Sequence, residues 1–508
     1  MQPLDVEGVR ITPESASNFS KASLFGNEAR VLFYAFAASL GFLSMGYHLS
    51  VFNSASFFLW QGCKWEMDFT SFKNMADTAL AFAAFFVCVI ISFNKIKFRI
   101  YTKLLNIADL LTLIGTLLTF TIFSTSPNWI LLGRILAGLG IGIDVAIILP
   151  FVREMQFYLS ESNFKAEKRR FFVEVFFALG IFLGIAPSQL LNLNGTNEDY
   201  IENQNGFQGN QPGELVPRPD LLACFALCMI PIISSIGRSA LLFYLGDTKP
   251  PQYAPMFTDE GLSENFEEDE TQTERLGMLK FKETRSLIKL LREPYKRRLE
   301  LCYILHFLQT ASGFVVFIVN SLYIAVYLKR KDKGGDNDED IQYTILEFAA
   351  VYLVTTILSS LLFTLVKLPR RAIMVFSAFI SLLLALAMGV MGLLGRTEEI
   401  KLFMICYWLS VCIGMGPVVE LFIEEVIPGK GLQFLLSVKW LLIGSVGLLT
   451  RYSLRNDSTY TLLYFFFSII TAMSLFVLYD LMPETAYTAP QDIHKLFQFE
   501  GEPELTEQ

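Results

Sequence analysis

The sequence predicts an all-α transmembrane fold of twelve helices, arranged as two six-helix bundles with short cytoplasmic helices between them. Three observations carry this. Hydrophobic residues fill 53% of the 508 positions and the mean hydropathy is +0.45, too apolar for a chain whose core must be wrapped in polar surface. Apolar runs of about 20 residues, the length that crosses a bilayer as a helix, recur along the chain. The Lys and Arg between those runs alternate between sparse and dense, as the positive-inside rule requires.

Residues 1–30 carry Asp5, Glu7, Arg10, Glu14, Lys21, Glu28 and Arg30 without a long apolar core. They read as a polar cytoplasmic tail with no cleavable signal peptide. The first bundle, 31–246, takes the runs Val31 to Phe52, Met75 to Phe93, Leu104 to Phe123, Trp129 to Phe151, Phe171 to Leu191 and Leu221 to Leu245. Residues 247–298 form a polar cytoplasmic linker, acidic over Thr258 to Thr273. Leu276, Leu279, Leu287, Ile288 and Leu291 follow at helix-like spacing, which predicts short amphipathic helices there. The second bundle, 299–482, takes Leu299 to Leu328, Ile345 to Leu368, Ala372 to Leu394, Leu402 to Ile423, Leu432 to Leu449 and Leu462 to Leu481. Residues 483–508 are a second cytoplasmic tail.

With both termini in the cytoplasm, about 27 Lys and Arg fall on the cytoplasmic side and about 11 on the other. The loop Leu191 to Pro219 is then external, and it holds the sequon Asn194-Gly195-Thr196, where glycosylation of Asn194 is expected. A second sequon, Asn18-Phe19-Ser20, lies on the cytoplasmic side and should stay unmodified. A multi-pass protein of the plasma membrane fits these signals better than one of an internal membrane.

Composition excludes several function classes. The net charge of -8 argues against nucleic acid as a partner. Six of the seven cysteines fall inside apolar runs and read as packing residues. With three histidines and no ligand spacing, no metal or other cofactor is expected. No nucleophile with its base and no phosphate loop points to an enzyme. The partners expected are a small-molecule solute and the lipid bilayer, with the chain a monomer.

The halves echo each other. Phe151-Val152-Arg153-Glu154 resembles Phe422-Ile423-Glu424-Glu425, and Asp247-Thr248 after the sixth span parallels Glu484-Thr485 after the twelfth. At Gly133-Arg134-Ile135-Leu136-Ala137-Gly138-Leu139-Gly140-Ile141-Gly142 the chain resembles the fourth span of the sugar porter family of the major facilitator superfamily. Further matches follow in order: Asp247-Thr248-Lys249-Pro250, Val366-Lys367-Leu368-Pro369-Arg370-Arg371, Gly414-Met415-Gly416-Pro417, Lys439-Trp440 and Pro483-Glu484-Thr485. The resemblance covers roughly Gly41 to Phe497. It implies alternating access, in which the halves rock about a central site and cytoplasmic ion pairs close the inside.

By that resemblance Glu154, Arg370, Arg371, Glu425 and Glu484 are gating ion-pair candidates, against the plainer reading of a solvated cytoplasmic rim. Arg134 reads equally as a snorkelling interfacial charge. The first-half counterpart of the Asp-Arg-x-Gly-Arg-Arg motif is replaced by Asn94-Lys95-Ile96-Lys97-Phe98-Arg99.

The resemblance also implies a substrate-binding set: His48, Glu174, Gln309, Thr310, Glu420, Lys439 and Trp440. Gln309-Thr310-Ala311-Ser312-Gly313 keeps one of the family's two span-seven glutamines. Glu420 and Lys439 replace a tryptophan and an asparagine. An ionised group at mid-bilayer costs about 2.5 to 3.5 kcal/mol, so these two should face each other, water or a ligand. They read either as an ion pair fixing spans ten and eleven or as contacts for a charged or zwitterionic solute. Glu174 or, one turn on, Ala178 takes the span-five position, and Asp144 on span four reads either as a further buried acid of the pocket or as part of a polar network with no ligand. His48 stands where proton-coupled members have aspartate, so coupling through span one is not expected. The chain is therefore read as a facilitative carrier of a small polar organic solute. A transport-deficient sensor or scaffold is the alternative.

Overall fold

The computed structural model describes residues 27–62, 69–94, 100–120, 127–158, 166–190, 221–245, 295–313, 320, 321, 324, 325, 328, 339–366, 368–427, 429–453, 457–486 and 496–497. Asn194, the sequon at Asn18 and the amphipathic stretch from Leu276 to Leu291 lie outside them. The regular structure in the described residues is helical. The first bundle holds α1 (Asn27–Gly62), α2 (Phe69–Phe93), α3 (Tyr101–Phe120), α4 (Pro127–Tyr158), α5 (Ala166–Leu190) and α6 (Leu221–Leu245). The second holds α7 (Tyr295–Ala311), α8 (Glu339–Leu365), α9 (Arg370–Leu394), α10 (Thr397–Ile413), α11 (Pro417–Val426), α12 (Gly429–Ser453) and α13 (Asp457–Asp480).

Ten helical stretches among the described residues are long and apolar enough to cross a membrane, α10 with α11 counting as one. Their outward faces carry apolar stripes at helical spacing: Phe86, Ile90 and Phe93 on α2, Leu358, Leu362 and Leu365 on α8, and Phe376, Phe379 and Leu383 on α9. Water would make such a surface a liability, whereas acyl chains solvate it. The chain is a multi-pass membrane protein.

Two spans differ from the sequence expectation in having a break. The run Leu299 to Leu328 is helical only to Ala311 before a turn at Ser312 and Gly313, whose φ of 105° is open to glycine but strained for other residues. The run Leu402 to Ile423 divides at Gly414, Met415 and Gly416 into α10 and α11. Pro417 has no N–H to continue α10 but suits the first turn of α11.

Within the first bundle α1 packs along α5. Gly46 faces the Phe177 carbonyl and Gly180 the Leu43 carbonyl, so a Cβ at either position would strike backbone. Small residues let the helices approach this closely. The halves meet along two seams: α12 lies on α2 and α4, and α8 with α11 lies on α5. Gln433 at the start of α12 donates to the Ala146 carbonyl of α4 at 3.0 Å. Contacts gather the beginnings of α1, α5, α9 and α12 and the ends of α6, α11 and α13 on one side of the molecule, termed the near face. Tyr34 donates to the Leu245 carbonyl there, and Arg370 meets both Glu425 and Thr485.

Candidate functional site

The breaks in spans seven and ten are stitched together by side chains. A break frees backbone carbonyls that are costly to leave unpaired in a bilayer. The Gln309 amide of α7 donates through Nε2 to the carbonyls of Met415 (2.9 Å) and Gly416 (2.7 Å). Ser312 Oγ donates to the Gln309 carbonyl, and the Tyr407 hydroxyl donates to the Ser312 carbonyl at 2.7 Å. Three buried atoms on α7 keep unused capacity: His306 Nδ1, Gln309 Oε1 and Thr310 Oγ1 have no hydrogen-bond partner. Their spacing of three and four residues puts them on one face of the helix.

Beside that face lies a cluster of ionisable groups spanning both halves. Glu420 of α11 shares its carboxylate in two directions. Oε1 accepts from His306 Nε2 at 3.0 Å and from Lys439 Nζ of α12, while Oε2 accepts from Arg170 Nη2 of α5 at 3.3 Å. Arg170 also donates through Nε to Glu424 (3.1 Å) and through Nη1 to Glu174 (2.7 Å). Arg170, Glu420 and Glu424 are buried. Charges so enclosed persist only when paired. A narrow cleft of about 20 Å³ adjoins the cluster, with Arg170, Glu174, Ser360, Pro417 and Val418 among its lining. Trp440, next to Lys439, is buried in the core.

Nearer the near face, Arg370 pairs with Glu425 and donates to Thr485 Oγ1 at 3.0 Å. Glu484 accepts from the backbone N–H groups of Arg370 and Arg371, both at 3.0 Å, capping the positive end of α9. Arg371 donates to the Tyr479 carbonyl. These gating candidates meet inside the second half. Glu154 is in α4, but its side chain lies outside the described residues.

Among the described residues, the first bundle carries two buried charged groupings. Arg134 is 1% exposed, so it is no snorkelling interfacial charge. It donates to Asp77 (3.1 Å) and to the His48 carbonyl (2.8 Å), lies over the Phe52 ring, and shares Asp77 with Lys73. His48 is wholly enclosed, its Nε2 3.1 Å from Thr116 Oγ1 on α3. Asp144 belongs to a network with Arg238 and Asp109.

The sequence turns Glu420 and Lys439 toward each other, water or a ligand, but assigns no role to Arg170, His306, Glu424, Asp109 or Arg238. A signal was present for Asp109, Arg238 and His306, since ionisable groups inside apolar runs are rare and seldom idle, whereas Arg170 and Glu424 stand just outside their runs. Apart from Glu174, four residues from Arg170, their side-chain partners are 94 to 254 positions away in sequence, and spacing does not show them.

A family model described as sugar (and other) transporter matches residues 34–497. The chain belongs to this family. Several solved structures share the fold. A double-tryptophan mutant of XylE superposes with a TM-score of 0.66 at 13% identity, covering 92% of this chain and 99% of that one. The proton:xylose symporter XylE bound to 6-bromo-6-deoxy-D-glucose gives 0.62 at 15%, covering 93% and 100%. The partially occluded inward-open form of XylE from E. coli gives 0.56 at 15%, covering 90% and 99%. No curated protein matches the sequence. The family is one of transporters rather than enzymes, and the fold is that of the transporter structures it superposes on.

Proposed function

We propose that this protein is an alternating-access carrier of a small, neutral, hydroxyl-bearing organic solute, sugar-like in its chemistry. Residues 31–246 and 299–482 act as the two moving halves, joined by a cytoplasmic linker. The observation that carries the reading is Arg170, a buried guanidinium of one half bonded to Glu420 and Glu424 of the other. Such a contact holds the near face closed and must part for the halves to rock. Arg370, Arg371, Glu425 and Glu484 brace the second half behind it, and Glu154 is assigned to the same belt from its sequence position.

Solute class follows from what the cluster leaves unfilled. Lys439 and Glu420 answer each other, which disfavours a permanently charged solute. The unpartnered His306 Nδ1 and Gln309 Oε1, with the Thr310 hydroxyl, suit a polyol whose hydroxyls can donate or accept and need partners on leaving water. We place the solute between this face of α7 and the cleft beside Glu174, with Trp440 as packing behind Lys439. Enclosed as it is, His48 supports a facilitative cycle with respect to span one.

Charge asymmetry and the Asn194 sequon support a near face that is cytoplasmic, a glycosylated external loop and a plasma-membrane location, with the chain working as a monomer. Uptake into proteoliposomes tests the proposal with a panel of hexoses, polyols, amino acids and organic ions. Flux of a hexose or polyol supports it. Flux confined to ionic solutes would favour the charged-solute reading, and no flux with folded protein would favour a sensor.

A further inference from the structure

Arg238 of α6 reaches into the first bundle and is shared by two carboxylates. Its Nη2 and Nε donate to Asp109 Oδ1 (2.6 Å) and Oδ2 (3.0 Å) on α3, and its Nη1 donates to Asp144 Oδ1 (2.7 Å) on α4. The side chains are 1%, 9% and 3% exposed. Nη2 also donates to the Leu105 carbonyl, and Ser239 Oγ donates to Asp109 Oδ2 at 3.0 Å. Asp109 therefore has both oxygens engaged, whereas Asp144 has one.

One guanidinium balances one carboxylate. Among the described residues, the other elements against α4 bring no second cation to this point. Gly41 of α1 faces it, Cys88 of α2 donates to the Gly142 carbonyl, and neutral Gln433 of α12 donates to the Ala146 carbonyl. Two ionised carboxylates here would leave an unbalanced buried charge, which proteins avoid by binding a proton. A Cβ on Gly41 would collide with Asp144 and with Arg238, so the glycine leaves room above the carboxylate for a hydrogen but not for a hydrated metal ion.

We propose that Asp109, Arg238 and Asp144 form a proton-binding site in the first bundle, with the proton held on Asp144 Oδ2. Binding adds one O–H bond to the Asp144 carboxylate. Release returns the proton to water and leaves two carboxylates on Arg238, a state that needs water to enter between α1 and α4. The ligand is a proton, and the site is separate from the solute cluster at Glu420.

Infrared spectroscopy of the purified protein tests this without a solute, so it stands or fails apart from the transport reading. The wild-type protein at neutral pH should show the C=O stretch of a protonated carboxylic acid, shifted by deuterium oxide. Asp144→Asn should remove that band while keeping an acceptor for Arg238. Asp109→Asn, which leaves Arg238 a single carboxylate to balance, should remove it too. Either variant suffices if the other does not fold. A wild-type spectrum with no such band, or a band unchanged in the folded variants, would overturn the proposal.

Discussion

The Arg170 guanidinium and the Glu420 carboxylate join the two halves at 3.3 Å, while the other oxygen of the same carboxylate holds His306 and Lys439. One acid thus belongs at once to the seam between the halves and to the polar groups of the broken spans. A change at either oxygen is felt at the other, because the electron density of a carboxylate is shared across both.

Arg170→Gln should weaken the closed seam. The substitution leaves Glu174, Glu420 and Glu424 without the cation they share, and breaking a buried pair in this way costs about 3 to 5 kcal/mol. The thermal midpoint should fall. A cysteine introduced as Val418→Cys in the adjoining cleft should also react faster with a membrane-impermeant maleimide applied from the near face. Unchanged labelling in folded protein would mean that Arg170 does not hold the seam.

Glu420→Gln and Lys439→Gln form a double-mutant cycle across the ion pair of spans ten and eleven. Glu420→Gln takes the carboxylate from Lys439, and Lys439→Gln takes one of the cations from Glu420, so the double variant counts the lost contact once where the two single variants count it twice. The two losses of stability should therefore sum to more than the double loss, with a coupling of about 0.5 to 3 kcal/mol. Chemical denaturation of the four proteins in detergent measures it. Additive losses would show that the contact contributes nothing specific.

The sequence makes the membrane architecture legible because a bilayer imposes a length and a polarity on every span. Glu420 and Lys439 were legible for the same reason, each being too costly to face lipid. Two features were not. Hydropathy does not register a break when its residues are Gly414, Met415 and Gly416, small or apolar residues that keep the run intact. Nor does it reveal that Arg170 serves three acids, two of them in the other half, since that depends on how α5 and α11 are docked.

Gly46→Leu should abolish the tight crossing of α1 and α5. Even a Cβ at position 46 meets the Phe177 carbonyl, and backbone does not yield as a side chain does. Overpacking of this kind costs about 1 to 3 kcal/mol or more, so the variant should lose thermal stability and surface expression. Gly447→Ala is the control, because a Cβ there meets nothing within 4 Å. Equal stability of the two variants would show that the crossing is looser than described.

His48→Asn should leave the pH dependence of uptake as it is in the wild type. The imidazole is enclosed against Thr116 and adjoins Arg134, whose guanidinium holds the His48 carbonyl rather than the ring. Asparagine keeps a polar partner for Thr116 in nearly the same place. Uptake measured across a pH series in both proteins checks this, and a profile that flattens only in the variant would place His48 in the proton chemistry of the carrier.

Gln309→Ala addresses the link between the two broken spans. Its amide holds the Met415 and Gly416 carbonyls, and its Oε1 is free to accept from a solute hydroxyl. Each stranded carbonyl costs about 1 to 3 kcal/mol, so stability should drop even with no solute present. Uptake should fall further through a raised KM, since the acceptor is lost as well. Gln309→Glu separates the two effects. It keeps an acceptor but sets a carboxylate against two carbonyl oxygens, so it should destabilise the break at least as strongly as alanine does. If alanine raised KM with no loss of thermal stability, Gln309 would be a solute contact alone, and the stitching of spans seven and ten would rest on Ser312 and Tyr407.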